Sequence, residues 1–266
     1  MLRNGMAPSL ENPQSHREDL RALVRMRKRG MYVYALPNLF TSMNLVLGYL
    51  AIIAAVEGRF ERGAWAILLA SVFDTLDGRV ARMTNTTSRF GVEYDSLCDL
   101  VSFGVAPSIL IYYAALKPFG RIGIVVAIVF ALCGALRLAR FNVMAEVLPK
   151  SYFQGLPIPM AAGTICTGIF FAREFSVDIN HNSVALVLTA LIGMLMVSTL
   201  RFPSFKDIHF RHRRPFTPIA LSFAAVFALI SWFETTAFIL LLGYIVISLG
   251  FDLARTWKAQ WKKSAA

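Results

Sequence analysis

Four aspartates, Asp74, Asp77, Asp95 and Asp99, fall within one stretch, DTLDGRVARMTNTTSRFGVEYDSLCD at residues 74–99, flanked on both sides by runs apolar enough for a bilayer. At about 100° per helical residue, Asp74 and Asp77 lie about 60° apart and Asp95 and Asp99 about 40° apart, so each pair shares a helix face. The short interval between the pairs makes their helices antiparallel neighbours and lets the four carboxylates converge. Uncompensated at low dielectric, such a cluster costs on the order of 10 kcal/mol, so cations must join it. An all-oxygen ligand set without His or thiolate favours a hard cation, Mg²⁺ or Mn²⁺, and four aspartates suffice for two ions sharing carboxylates. Two such ions are a clamp for in-line displacement at phosphorus.

Smaller residues fit the same chemistry. Gly78 follows Asp74 by one turn and Gly91 precedes Asp95 by one turn, leaving each aspartate face open to a phosphate or a facing helix. Arg82, a turn beyond Gly78, can fork onto phosphate oxygens, and Ser88 in the connecting loop offers a hydroxyl. The competing reading is an ion-pair network of these aspartates with Arg79, Arg82 and Arg89, but charges clustered within spans are rarely kept without a function. A cation transporter would spread its carboxylates through the membrane depth; here they gather at one end.

The elements that must hold these residues follow from composition. Of 266 residues, 56% are hydrophobic and 16% charged, so lipid is the expected solvent for most of the chain. A hydrocarbon core of about 30 Å needs about 20 helical residues. Eight segments qualify, near 36–57, 63–83, 90–116, 121–144, 155–174, 182–200, 215–233 and 235–254. The fold class is therefore an all-α integral membrane bundle of about eight transmembrane helices, with both termini on one side. With the N-terminus cytoplasmic, the outer loops hold five of the 27 basic residues, namely Arg59, Arg62, Lys117, Arg121 and Arg173. That bias puts the active site at the cytoplasmic ends of spans two and three in the cell membrane. The net charge of +11 then reports contact with anionic lipid, and nucleic acid is not an expected partner.

Residues 1–32 form a cytoplasmic N-terminal segment with no signal-peptide pattern, residues 33–255 the transmembrane domain, and residues 256–266 a basic tail. Within the first segment, HREDLRALVRMRKRG reads either as an interfacial amphipathic helix carrying Leu20, Leu23 and Val24 or as a solvated tail. Cys98, Cys133 and Cys166 stand in apolar settings as core residues. HFRHRRP at 209–215 is a basic loop rather than a metal site, because its three arginines would repel an ion.

The spacing Asp74-x2-Asp77-Gly78-x2-Ala81-Arg82-x8-Gly91-x3-Asp95-x3-Asp99 resembles, at every defined position, the signature of the CDP-alcohol phosphotransferases. That resemblance implies an integral membrane enzyme that displaces CMP from a CDP-linked lipid or alcohol. It further implies metal ligation by Asp74, Asp77 and Asp95, with Asp99 sharing the metal site and accepting the proton. Gly78 and Arg82 would hold the CDP moiety, with Ser88 beside them, and family likeness implies a homodimer.

Four further stretches, LPNLFTSMNLVLG, DSLCDLVSFGVAP, LRLARFN and FQGLPIPMAA, look like those of the membrane-integrated phosphatidylserine synthases, a serine-accepting branch of that family. The implied reaction transfers a phosphatidyl group from CDP-diacylglycerol to the hydroxyl of L-serine; glycerol phosphate, inositol phosphate and choline remain alternative acceptors. Asn38 and Thr41, after Pro37, either meet the cytidine or cap the first span. Arg137 and Arg140, with Asn142 beside them, either bind the serine carboxylate or lipid phosphates or snorkel to headgroups. QGLPIPM, with Gly155, Pro157 and Pro159, either walls the site or starts the fifth span, and the helix start is the preferred reading.

Overall fold

A computed structural model describes residues 37–84, 88–144, 152–177, 183–203, 235–248 and 250. Seven helices lie among the described residues: α1 (Pro37–Val56), α2 (Phe60–Met83), α3 (Arg89–Phe119), α4 (Arg121–Met144), α5 (Ile158–Glu174), α6 (Ser183–Val197) and α7 (Thr235–Ser248). Three of them, α1, α3 and α4, are long and apolar enough to cross a membrane. Helix α2 has 24 residues, but its aspartates and arginines dilute its apolar character, and α5, α6 and α7 are shorter. The helices overlap seven of the eight spans expected from sequence; the span expected at 215–233, the N-terminal segment, the loop at 209–215 and the basic tail lie outside the described residues.

How the helices meet is set by a repeating spacing of three and four. The buried residues of α1 are Pro37, Thr41, Asn44, Gly48, Ala51 and Ala55. Those of α2 include Gly63, Ile67, Ala70 and Asp77, and those of α4 include Gly123, Ala127, Phe130, Gly134 and Arg137. One stripe per helix is therefore turned inward, small at one end and polar at the other. Lipid tails are as apolar as leucine, so close backbone approach, rather than expulsion from water, is what favours these contacts. A Cβ on Gly48 would lie 2.4 Å from Ser102 Oγ, and one on Gly134 would lie 2.7 Å from Ile158 Cδ1 and 3.6 Å from the Gly104 Cα.

Helix α3 is not regular throughout. Leu100–Val105 and Tyr112–Leu116 are π-helical, with the Ala106 N–H reaching back to the Val101 carbonyl and the Lys117 N–H to the Tyr112 carbonyl. Pro107 has no N–H for an ordinary helical bond and crowds the preceding turn, and a wider turn accommodates it. The first π turn begins right after Asp99, so it re-phases the helix between the aspartates and the buried Phe103 and Leu110.

The two ends of the bundle are closed differently. At one end Gly58 (φ 75°) turns α1 into α2, and Glu57–Arg59 and Glu61–Arg173 are ion pairs. At the other, Tyr152–Gln154 and Arg201–Pro203 form an antiparallel pair with Phe153 opposite Phe202, the one addition to an otherwise helical architecture among the described residues. Beside it Gly155 (φ 78°) donates its N–H to the Leu200 carbonyl at 2.9 Å, and Leu156 donates to the Leu195 carbonyl at 3.0 Å. Cys98 and Cys166 are buried and all three cysteines are free thiols.

Candidate active site

The loop between α2 and α3 is short, and the two helices return side by side as its length requires. Carboxylate oxygens of Asp74, Asp95 and Asp99 then lie within 4.8 Å of one another. Asp77 stands beside this trio, in electrostatic range of Asp74 and Asp95, and is held on the other side by the Thr41 hydroxyl, which donates to its Oδ2 at 2.8 Å. Sequence spacing predicts convergence of all four carboxylates; the structure closes three into the tight cluster and places the fourth against α1.

Helix α1 supplies a second donor to the set. Asn44, fully buried, donates from Nδ2 to Asp99 Oδ1 at 3.0 Å. Its backbone carbonyl accepts from Ser102 Oγ at 2.9 Å. Asn44 is not among the site residues expected from sequence, although an asparagine inside an apolar run, three residues after Thr41, is itself a sign of a polar partner across the helix interface.

A cavity of about 150 Å³ adjoins the aspartates, lined by Asn38, Thr41, Asp77, Gly78, Ser88 and Asp95 among others. Four residues expected to touch the nucleotide, Asn38, Thr41, Gly78 and Ser88, thus share one wall set. A Cβ on Gly78 would meet nothing within 4 Å, so the glycine keeps the cavity open rather than easing a helix contact. Ser88 also caps α3, its Oγ accepting from the Gly91 N–H at 2.9 Å. Arg82 is exposed in the last turn of α2 and does not line the cavity.

The remaining three residues separate. Arg137 is buried, its guanidinium 5.4 Å from the Phe141 ring centroid and in electrostatic range of Asp99 and Asp74. Arg140 turns the other way and donates to the Val197 carbonyl at 2.9 Å and the Ser198 carbonyl at 3.0 Å, closing the C-terminus of α6. Asn142 donates to Ser96 Oγ at 3.0 Å and ties α4 to α3. The local geometry gives Arg140 and Asn142 packing partners, while Arg137 lies in electrostatic range of the aspartates.

The alternative of a paired ion network is not what these residues form. Among the described residues the ion pairs within 4.0 Å are Arg59–Glu57 and Arg173–Glu61, both at the far end of the bundle. Arg79, Arg82 and Arg89 are exposed. Asp95 Oδ1 is buried without a hydrogen-bond partner among the described residues. A buried anionic oxygen without a donor, next to two further carboxylates, fits ligation of a hard divalent cation.

A sequence model of the CDP-alcohol phosphatidyltransferases matches residues 34–249. Over 177 residues, 66% of this chain and 75% of the relative, the chain is 41% identical to the CDP-diacylglycerol–serine O-phosphatidyltransferase of Helicobacter pylori. It is 37% identical to the protein of the same name from Bacillus subtilis, over 64% of this chain and 91% of that one. Similarity at 43% identity extends to the archaetidylserine synthase of Methanothermobacter thermautotrophicus, over 64% of this chain and 70% of the relative.

Proposed function

Because the chain belongs to the CDP-alcohol phosphatidyltransferase family, we propose that it transfers the phosphatidyl group of CDP-diacylglycerol to the hydroxyl of L-serine, giving phosphatidylserine and CMP. The observation that carries the chemistry is the three-carboxylate cluster of Asp74, Asp95 and Asp99 beside the cavity of Asn38, Thr41, Gly78 and Ser88. The choice of serine is supported by the names of the relatives from two bacteria.

Asp74, Asp77, Asp95 and Asp99 would hold Mg²⁺ or Mn²⁺, whose chemistry is to neutralise the pyrophosphate and polarise its phosphorus. The nucleotide side of the substrate enters the cavity, where the open face at Gly78 admits phosphate and Asn38 and Ser88 offer polar groups. Arg137, on the Asp74 and Asp99 side, receives the serine carboxylate. Asp99 takes the hydroxyl proton. The serine oxygen bonds to the lipid-side phosphorus, and the bond from that phosphorus to the bridging oxygen breaks, with CMP leaving on the electron pair. Arg82 has the reach to close over the phosphates from the rim.

The basic bias of the sequence supports a cytoplasmic site, an eight-span topology and contact of the basic flanks with anionic lipid. The test is CMP release by purified protein given CDP-diacylglycerol and, separately, L-serine, glycerol 3-phosphate, inositol phosphate and choline. Release should require serine, stop on chelation by EDTA and return with Mg²⁺ or Mn²⁺. Release with another alcohol and none with serine would overturn the acceptor while leaving the family chemistry in place.

A further inference from the structure

Asn44 stands outside the set of residues whose types announce chemistry, yet both its polar ends face α3. Its carbonyl accepts from Ser102 and its amide donates to Asp99. The amide oxygen, Oδ1, is buried and has no hydrogen-bond partner among the described residues. An asparagine kept only to join two helices would satisfy both amide groups, since an unpaired buried acceptor is destabilising. Here the amide is oriented by the carboxylate at the expense of its own oxygen: the flipped orientation would set two oxygens against each other.

Helix α1 repeats the device one turn earlier, where Thr41 Oγ1 donates to Asp77 Oδ2. One carboxylate of each aspartate pair is thus pinned by a neutral donor from the same helix stripe. Asp95, by contrast, keeps an oxygen without a donor among the described residues.

We propose that Asn44 is a positioning residue for Asp99: its amide occupies Oδ1 of the carboxylate and so turns Oδ2 toward Asp74 and Asp95, setting the spacing of the ligand cluster. The proposal rests on the metal-dependent reading given above and gives Asn44 its role through its hydrogen bond to Asp99. Groups that orient metal ligands act in this way, and their removal weakens the metal site without emptying it.

The experiment uses the full chain in detergent or nanodiscs and Mn²⁺ alone, followed by electron paramagnetic resonance. Asn44→Ala should weaken Mn²⁺ binding by about 10- to 100-fold. Turnover should fall at saturating Mn²⁺ while the KM for CDP-diacylglycerol stays within about twofold, because Asn44 does not line the nucleotide cavity. Asn44→Leu fills the same volume without polar groups and is read in the same titration if the alanine variant is not folded. Ser102→Ala removes the neighbouring tie between the helices and should leave Mn²⁺ affinity unchanged. Wild-type Mn²⁺ affinity in either folded Asn44 variant would overturn the proposal, as would an equal loss in Ser102→Ala, which would assign the effect to helix packing. Because the titration needs neither lipid nor serine, failure of the serine reaction in the wild type would be separable from failure of this inference.

Discussion

Asp77 and Asp99 each accept a hydrogen bond from α1, whereas Asp95 retains a buried oxygen with no donor among the described residues. Carboxylates alike in sequence therefore enter the cluster with different remaining acceptor capacity, and Asp99 is also a neighbour of Arg137. Its assignment as proton acceptor predicts that Asp99→Asn lowers kcat by about 10²- to 10⁴-fold, the usual contribution of a general base. Steady-state CMP release should show this with the KM for CDP-diacylglycerol changed only a few-fold; near-normal turnover would remove Asp99 from the role. The aspartates were legible in the sequence because both their helical spacing and the repulsion among them are local properties. Asn44 was not, because the partner that explains it lies 55 residues away across a helix interface. Arg140 and Arg137 looked equivalent in LRLARFN for the same reason: only the packing of α6 shows that Arg140 closes that helix.

At the scale of elements, the small residues of α3 and α4 decide where Arg137 stands. Gly104 and Gly134 meet at the crossing, and Arg137 follows Gly134 by about one turn on the same buried stripe. Gly134→Leu should force the two helices and Ile158 apart, with a cost of about 1–3 kcal/mol typical of overpacking. Thermal denaturation in detergent should register that loss together with reduced CMP release. Gly243→Ala, at a position where a Cβ meets nothing within 4 Å, should change neither. Equal behaviour of the two variants would mean that the crossing does not position Arg137. Helix existence was readable from apolar length, but the π turns of α3 were not. Pro107 signals a disturbed helix; whether it kinks, breaks or widens depends on what packs around Phe103 and Ser108, which are buried.

For the whole molecule, the two ends of the bundle have separate characters: carboxylates, cavity and strand pair at one, Glu57–Arg59 and Glu61–Arg173 at the other. The proposed cytoplasmic site predicts that Met83→Cys reacts with a membrane-impermeant maleimide only from the cytoplasmic face of sealed vesicles. Arg62→Cys should react only from outside. Both positions are exposed, so labelling of the two from one side would refute the topology. The order of the site along the chain has a consequence for biogenesis. Asp74, Asp77, Asp95, Asp99 and their donors Thr41 and Asn44 all precede Arg137, so during synthesis the acidic helices emerge before the arginine that faces them. Until α4 is delivered, the α1 donors reach only Asp77 and Asp99, so the other two carboxylates of the nascent chain must rely on water at the membrane edge or on captured ions.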